Sequence, residues 1–390
     1  MSFRKVCAAG LLTAGVLSLF AGRAEAQTTV RRYVAFGDSI TQGFADDQNR
    51  AEKGYPPRLE SLLNARGVSA DVVNEGLGGE TTAEGLIRLN SVLQRNAGAN
   101  VFLLMEGTND VNARVSNQTI AFNLDQMADR AEGAGMEAVH ATIVPRLPSA
   151  QYDGLNIVTA DLNQRIRELA YQTGRKLADP FEVFFNQTPN VFTTLYIGGD
   201  DKLHPNAAGY DVIAQVFADV LTNVDSVPPV LGQTSPRNDQ QGVSPATTVS
   251  IDLYDFGAGI DLTQTKLLIN GLEVDTPIQG NSRKLEIRYT PATPFVGVVF
   301  VGLRTRDLAN PPHIIDRTLF QFIVAGTQFL TGDIDRDGRV DGRDLIILAR
   351  VFGSNSGQTR YLGVADFNRD GQIDGADLSA LAANFGRSTF

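Results

Sequence analysis

Ser39 stands at the end of an apolar run, Tyr33-Val34-Ala35-Phe36, behind Gly37 and Asp38. A serine at a bend where a buried strand turns toward a helix exposes its hydroxyl, which is where a serine nucleophile is useful. That hydroxyl reacts poorly at neutral pH without a base, most often a histidine. The chain has three histidines. His140 lies inside an apolar strand-like run and His313 follows Pro311-Pro312 in a stretch of different composition, which leaves His204. A histidine base needs a carboxylate to hold its tautomer and stabilise the imidazolium. Asp201, three residues earlier, reaches back within one turn, and Asp200 is the alternative. Two more segments carry donors. Gly78-Gly79-Glu80-Thr81-Thr82 lets a backbone amide face a ligand at a helix start, and Gly107-Thr108-Asn109-Asp110 offers a side-chain amide. Acyl transfer through a serine ester is the chemistry these residue types can perform.

A second constellation lies at the C-terminus. Asp333, Asp335, Asp337, Asp341 and Asp344 occupy positions 1, 3, 5, 9 and 12 of a loop with Gly338 at position 6 and Val340 at position 8. The pattern returns as Asp366, Asn368, Asp370, Asp374 and Asp377, with Gly371 and Ile373. Oxygen side chains at this spacing match a calcium loop, and Arg339 and Gln372 stand at position 7, where a backbone carbonyl is the ligand. Two calcium ions are expected, structural rather than catalytic. Position 12 is Asp where an EF-hand has Glu.

Positioning these residues falls to the elements between them. Strand-like segments at 33–36, 70–74, 101–105, 138–144 and 176–179 alternate with helical patterns at 57–65, 83–95, 119–132, 155–173 and 207–222. Such βα alternation argues for a parallel sheet covered by helices on both faces, with its crevice beyond the carboxyl ends of the strands. The serine, glycine, asparagine and histidine segments all fall near that end. After Asp225-Ser226-Val227-Pro228-Pro229 the pattern changes to short strands at 248–253, 266–269, 272–274, 285–289, 298–305 and 319–324, with Asn270-Gly271 as a hairpin turn. A β-sandwich serving as a spacer is expected there. Each calcium loop leads into an apolar helix, at 345–352 and 378–385.

Residues 1–26 read as a secretory signal, with Arg4 and Lys5, an apolar core and Ala24-Glu25-Ala26 before the cleavage point. Cys7, the only cysteine, would leave with it, so neither a cysteine nucleophile nor a thiolate metal site is expected. A formal net charge of −10 is a poor match to nucleic acid. No later segment is long and apolar enough to span a bilayer.

The blocks Gly37-Asp38-Ser39, Gly79, Gly107-Thr108-Asn109-Asp110 and Asp201-Lys202-Leu203-His204-Pro205, in that order, resemble those of the SGNH or GDSL hydrolases. The resemblance covers residues 30–224 and implies a flavodoxin-like three-layer α/β/α fold. It also implies Ser39 as nucleophile, His204 as base, Asp201 as its orienter, and an oxyanion hole from the Ser39 amide, the Gly79 amide and the Asn109 side chain. No cofactor is implied for catalysis. The middle stretch resembles bacterial immunoglobulin-like domains. The duplicated loop and helix of residues 331–387 resemble a dockerin and imply a cohesin-like partner. Loop positions 10 and 11, Gly342-Arg343 and Gly375-Ala376, differ from the Ser/Thr-type residues of cellulosomal dockerins and from each other. The expected organisation is a signal peptide (1–26), a hydrolase domain (27–224), a β-sandwich (225–326) and a dockerin-like calcium module (327–390). The expected function is a secreted serine esterase deacetylating plant polysaccharide. The alternatives are a general lipolytic or aryl esterase and, from another class, a non-catalytic binding or scaffold protein assembled through its C-terminus.

Overall fold

The computed structural model describes residues 29–46, 53–147, 152, 154–187, 194–326, 330–355 and 361–388. The proposed signal segment lies outside the described residues. Five strands, β1 (Arg31–Gly37), β2 (Ala70–Gly76), β3 (Val101–Met105), β4 (Glu137–Ala141) and β5 (Lys176–Ala178), form a parallel sheet in the order β2-β1-β3-β4-β5. All five residues of β3 are buried, as a strand covered on both faces requires. Among the described residues the α-helices of this region are α1 (Ser39–Gln42), α2 (Tyr55–Ala65), α3 (Thr82–Arg95), α4 (Thr108–Asn112), α5 (Asn117–Gly133), α6 (Leu155–Thr173), the single turn α7 (Pro180–Glu182), which runs into a π-helical turn (Val183–Gln187), and α8 (Ala207–Leu221). On one face Tyr33 and Leu103 pack with Leu59 of α2 and Phe217 of α8. On the other, Phe36 and Phe102 pack with Leu89, Leu124 and Ile166 of α3, α5 and α6. The result is a three-layer α/β/α domain whose strand order reverses direction between β1 and β3, where a crevice opens at the carboxyl ends.

Two expectations are corrected here. The apolar run of the fourth strand extends in sequence to residue 144, but the strand stops at Ala141, because the Asn163 side chain of α6 takes both backbone groups of Ile143 (2.9 Å from its amide, 2.8 Å to its carbonyl). From its sequence, Gly198-Gly199-Asp200-Asp201-Lys202-Leu203-His204-Pro205 reads as one loop before the final helix. The part carrying His204 is instead a strand, β7 (Asp201–Pro205), antiparallel to β6 (Tyr196–Gly198), and Asn206 then caps α8 by accepting from the Gly209 amide at 3.0 Å.

Residues 230–324 form two antiparallel-rich sheets. The strands β8 (Val230–Ser235), β9 (Gln240–Val243), β10 (Val249–Tyr254), β11 (Lys266–Ile269), β12 (Leu272–Val274), β13 (Ile278–Asn281), β14 (Lys284–Tyr289), β15 (Val298–Arg306) and β16 (Ile314–Val324) divide into β13-β14-β10-β8 and β12-β11-β15-β16-β9. Ile251, Leu285, Val301 and Phe322 share the core between them, which makes this a β-sandwich. Asn270 and Gly271 both have positive φ (52° and 78°), the geometry that a two-residue hairpin turn demands. The sandwich is docked on the first domain. The buried Arg167 of α6 bonds Asp179 of its own domain at 2.7 Å and the Leu231 carbonyl of β8 at 2.6 Å, and Gln233 bonds Glu168 at 3.0 Å.

The C-terminal helices α9 (Gly342–Val351) and α10 (Gly375–Asn384) each follow an aspartate-rich loop and share a small core of Ile334, Val340, Leu348, Ile373 and Leu381. The two loops repeat each other in detail. Arg336 and Arg369 both sit at φ near +60°, and Asp341 and Asp374 both close capping boxes with Asp344 and Asp377.

Candidate active site

The site is built at the strand ends. At the end of β1 the backbone of Gly37 runs against β3, where a Cβ would lie 2.1 Å from the Met105 carbonyl oxygen, so only glycine fits. Asp38 then caps α1, accepting from the Ile40 amide at 2.9 Å, and Ser39 becomes its first residue. The helix ends after four residues in a left-handed Gly43. Ser39 is held on a short, tightly bounded turn with 7% of its surface exposed.

Ser39 Oγ lies 2.9 Å from His204 Nε2, and His204 Nδ1 lies 2.8 Å from Asp201 Oδ2. The other Asp201 oxygen accepts from the amides of Leu203 and His204, both at 2.9 Å. Burial raises the Asp201 carboxyl, but those two amides and the His204 ring outweigh it and hold the group below the usual carboxylate range. An ionised Asp201 fixes the proton on Nδ1 and leaves Nε2 to accept from the serine hydroxyl. Asp200 is exposed at the turn between β6 and β7. His140 is buried on β4 with its Nε2 unpartnered, and His313 pairs with Asp307 in the sandwich. The ring of Phe44, itself half exposed, packs 4.5 Å from the His204 ring, centroid to centroid, and walls one side of the imidazole.

Across the crevice, Asn109 follows β3 at the second residue of α4, and its side-chain amide donates to the Glu80 carbonyl at 2.9 Å. Its neighbour Asp110 accepts from the Thr82 amide (2.8 Å) and hydroxyl (2.6 Å). Asn109 and Asp110 thus clamp the residues that follow Gly79, which has φ +81°. Gly78 passes close to the serine, since a Cβ on it would lie 3.7 Å from Ser39 Cβ. Serine, histidine, aspartate, glycine segment and asparagine are all brought to one rim of the sheet.

Sequence reasoning missed what lies beneath. Glu106, fully buried with both oxygens unpartnered, lies beneath α3, where a Cβ on Gly85 would come within 2.8 Å of its carboxylate. Burial and the charges of Glu80, Asp38 and Asp110 push its carboxyl well above the usual range. Burial likewise pushes Asp38 up to about 6, against the opposing Ile40 amide. Arg146, also fully buried, bonds the Thr108 carbonyl at 2.7 Å and Asn112 at 2.9 Å and so braces α4 from below. No spacing signal marks an isolated buried charge. Asp110, by contrast, stood beside Asn109 in the recognised block.

In the first C-terminal loop, ligand-type oxygens of Asp333, Asp335 and Asp337 lie within 4.8 Å of one another, and Asp333 Oδ1 is buried without a partner. That cluster fits a hard divalent cation. Asp344 is turned to the loop backbone, accepting from the Ile334 (2.6 Å), Asp335 (3.1 Å) and Asp341 (2.9 Å) amides. In the second loop Asp366 accepts from the Gly371 amide at 2.9 Å, Asn368 bonds Asp370 at 2.8 Å, and Asp377 accepts from the Phe367 and Asp374 amides. Asp341 and Asp374 cap α9 and α10. Among the described residues no helix is long and apolar enough to cross a membrane.

Residues 35–212 match the GDSL-like lipase/acylhydrolase family, and residues 331–385 match the dockerin type I domain. An arylesterase of Vibrio mimicus is 27% identical over 209 residues, which is 53% of this chain and 95% of that protein. A lipolytic protein of the G-D-S-L family from Veillonella parvula aligns at 20% identity and TM-score 0.41, covering 49% of this chain and 98% of that one. The aryl esterase of M. smegmatis aligns at 20% identity and TM-score 0.40, covering 50% and 99%. The dockerin match implies calcium binding. The chain therefore carries a GDSL-like lipase/acylhydrolase domain and a C-terminal dockerin type I domain, and it is a serine ester hydrolase.

Proposed function

We propose that this chain is an exported esterase that deacetylates plant polysaccharide while anchored through its dockerin to a cohesin-like protein. The observation that carries the catalytic part is the chain of contacts from Asp201 through His204 to Ser39, 2.8 and 2.9 Å long. His204 Nε2 takes the Ser39 proton as the oxygen attacks the ester carbonyl. The Ser39 amide, the Gly79 amide and the Asn109 side chain receive the charge that develops on the carbonyl oxygen. The imidazolium gives its proton to the departing alkoxide, and the neutral ring then takes a proton from the water that attacks the acyl-serine and returns it to Ser39 Oγ as the acid is released. Asp201 stays ionised throughout. None of these steps calls on a metal or organic cofactor.

The substrate reading rests on the dockerin, which ties an ester hydrolase to a polymer-associated setting, and on the absence of a long apolar lid segment in the sequence around the four blocks. The calcium reading is two ions, one per loop. Asp333, Asp335, Asp337, Asp341 and Asp344 with the Arg339 carbonyl would hold the first, and Asp366, Asn368, Asp370, Asp374 and Asp377 with the Gln372 carbonyl the second. Bound there, the ions neutralise carboxylates that otherwise repel. The middle domain is read as an immunoglobulin-like spacer, supported by its strand order and by β9 pairing in parallel with β16. A second reading, a general aryl or lipolytic esterase, is favoured by the arylesterase relative and by Phe44 beside the base.

A panel comparing acetylated xylan with aryl esters of increasing acyl length, run on wild type and Ser39→Ala, tests both. The proposal expects activity on acetylated xylan and a preference for acetyl that falls with chain length. A preference for long chains, or inertness toward the polysaccharide, would leave the aryl or lipolytic reading in its place.

A further inference from the structure

Outside the active site and the C-terminal loops, acidic side chains gather where the first domain hands over to the sandwich. Asp225, Asp307 and His313 offer ligand-type atoms within 4.8 Å of one another. They come from the connection after α8, the end of β15 and the approach to β16, segments that only the tertiary fold brings together. A third carboxylate, Asp255, lies outside that convergent set but holds the same turn as Asp225. Its Oδ1 accepts from the Gly257 (2.8 Å) and Gly259 (2.9 Å) amides, and Asp225 Oδ2 accepts from the Ala258 amide at 2.7 Å between them. The two side chains therefore grip one turn, and Asp225 and Asp307 are the acidic neighbours whose charges act on Asp255.

The second observation is a missing partner. Asp255 is 2% exposed, and its Oδ2 is buried with no hydrogen bond. A buried carboxylate oxygen without a donor is costly, and more so beside two further carboxylates. Asp307, 1% exposed, spends Oδ1 on the His313 and Ala309 amides (2.8 and 3.1 Å) and Oδ2 on His313 Nδ1 at 2.5 Å. Even with its ring protonated, His313 supplies one positive charge against three carboxylates. The turn 257–259 is too tight to bring another: a Cβ on Gly257 would lie 2.4 Å from Asp225 Oδ1.

We propose that Asp225, Asp255 and Asp307 form a calcium site at the junction between the hydrolase domain and the sandwich, separate from the dockerin loops. Three carboxylates from different segments supply the hard oxygen set that calcium takes, and His313 orients Asp307 through Nδ1. Because Asp225 lies in the connection itself, the ion fastens residues 225–229 to the sandwich and sets how rigidly the hydrolase domain is carried.

The test is calcium titration of the full-length chain by calorimetry, beside limited proteolysis of the 222–230 connection. The double variant Asp333→Ala/Asp366→Ala, which disables the dockerin loops, is expected to keep one calcium. Adding Asp255→Asn should abolish it, and Asp225→Asn should weaken it without touching the sandwich core. With calcium at 100 times its Kd, opening of the connection should slow about a hundredfold, an effect absent from the Asp255→Asn protein. A double variant that binds no calcium would overturn the site, as would a folded triple variant that still does. An Asp255→Asn substitution that raises Tm equally with and without calcium would also overturn it, because the cluster would then be repulsion that His313 alone manages.

Discussion

The hydrolase domain and the dockerin build their sites by opposite means. In the hydrolase, Ser39 and His204 stand 165 residues apart and touch only because a five-stranded sheet brings the ends of β1, β2 and β3 to one rim and α8 holds β7 beside it. In the dockerin, each candidate site is one loop of twelve consecutive residues, capped by the aspartate that starts the following helix. A site assembled by long-range topology survives as long as the sheet does. A local loop of like charges with a core as small as that of Ile334, Val340, Leu348, Ile373 and Leu381 depends on its ion.

The largest effect that would break this comparison lies at the triad. His204→Ala and Ser39→Ala should each lower kcat/KM on a soluble ester by about 10⁴ or more, to similar extents because the two act as a unit. A His204 variant retaining most of its activity would show that another base works at this rim. Next, Asn109→Ala should cost about 10²–10³ in kcat with little change in KM if its amide meets charge only in the transition state. A loss confined to KM would instead assign it to ground-state binding.

The third prediction concerns pH and the sheet itself. Burial, reinforced by the charge of Arg175, pushes the His140 imidazole down to about 3. The folded state keeps it neutral while the unfolded chain protonates it near the ordinary value of about 6.5, so stability is lost as pH falls from there toward about 3. At pH 5 the loss reaches about 2 kcal/mol. His140→Gln should therefore flatten the stability of the hydrolase domain between pH 7 and 5 by about that amount, measured by urea unfolding, with turnover of esters at neutral pH largely unchanged. An unaltered pH profile would mean that His140 titrates normally.

The smallest effect is the one that defines the modular reading. Chelation should raise protease sensitivity in residues 327–390 and abolish partner binding, yet change turnover of a soluble ester by less than about twofold. A large, calcium-reversible loss of activity would show that the Arg167 and Gln233 contacts couple the domains beyond simple docking.

How much of this was legible differed between the two regions for the same physical reason. The calcium loops are local, so their ligand spacing and repeat could be read directly from the chain, whereas the capping of the following helices by Asp341 and Asp374 emerged only from the structure. In the hydrolase, strands buried on both faces announce themselves as apolar runs, and β3 and α6 were expected with the bounds observed. Strand ends were harder. Nothing local to residues 142–144 reveals that Asn163 will take the backbone of Ile143 and end β4. The edge strands β9 and β13 went unread because Gln240-Gln241-Gly242 and Gln279-Gly280-Asn281 carry no alternation of apolar residues. Glu106, Arg146 and Phe44 owe their places to neighbours far along the chain, and single residues of that kind have no pattern to find.

The catalytic assignment is tested most directly by reacting the full-length protein with a fluorophosphonate and locating the adduct by mass spectrometry. The account predicts one adduct per chain, on Ser39, lost in Ser39→Ala and formed far more slowly in His204→Ala. An adduct on another serine, or an unlabelled protein that still hydrolyses esters, would contradict it.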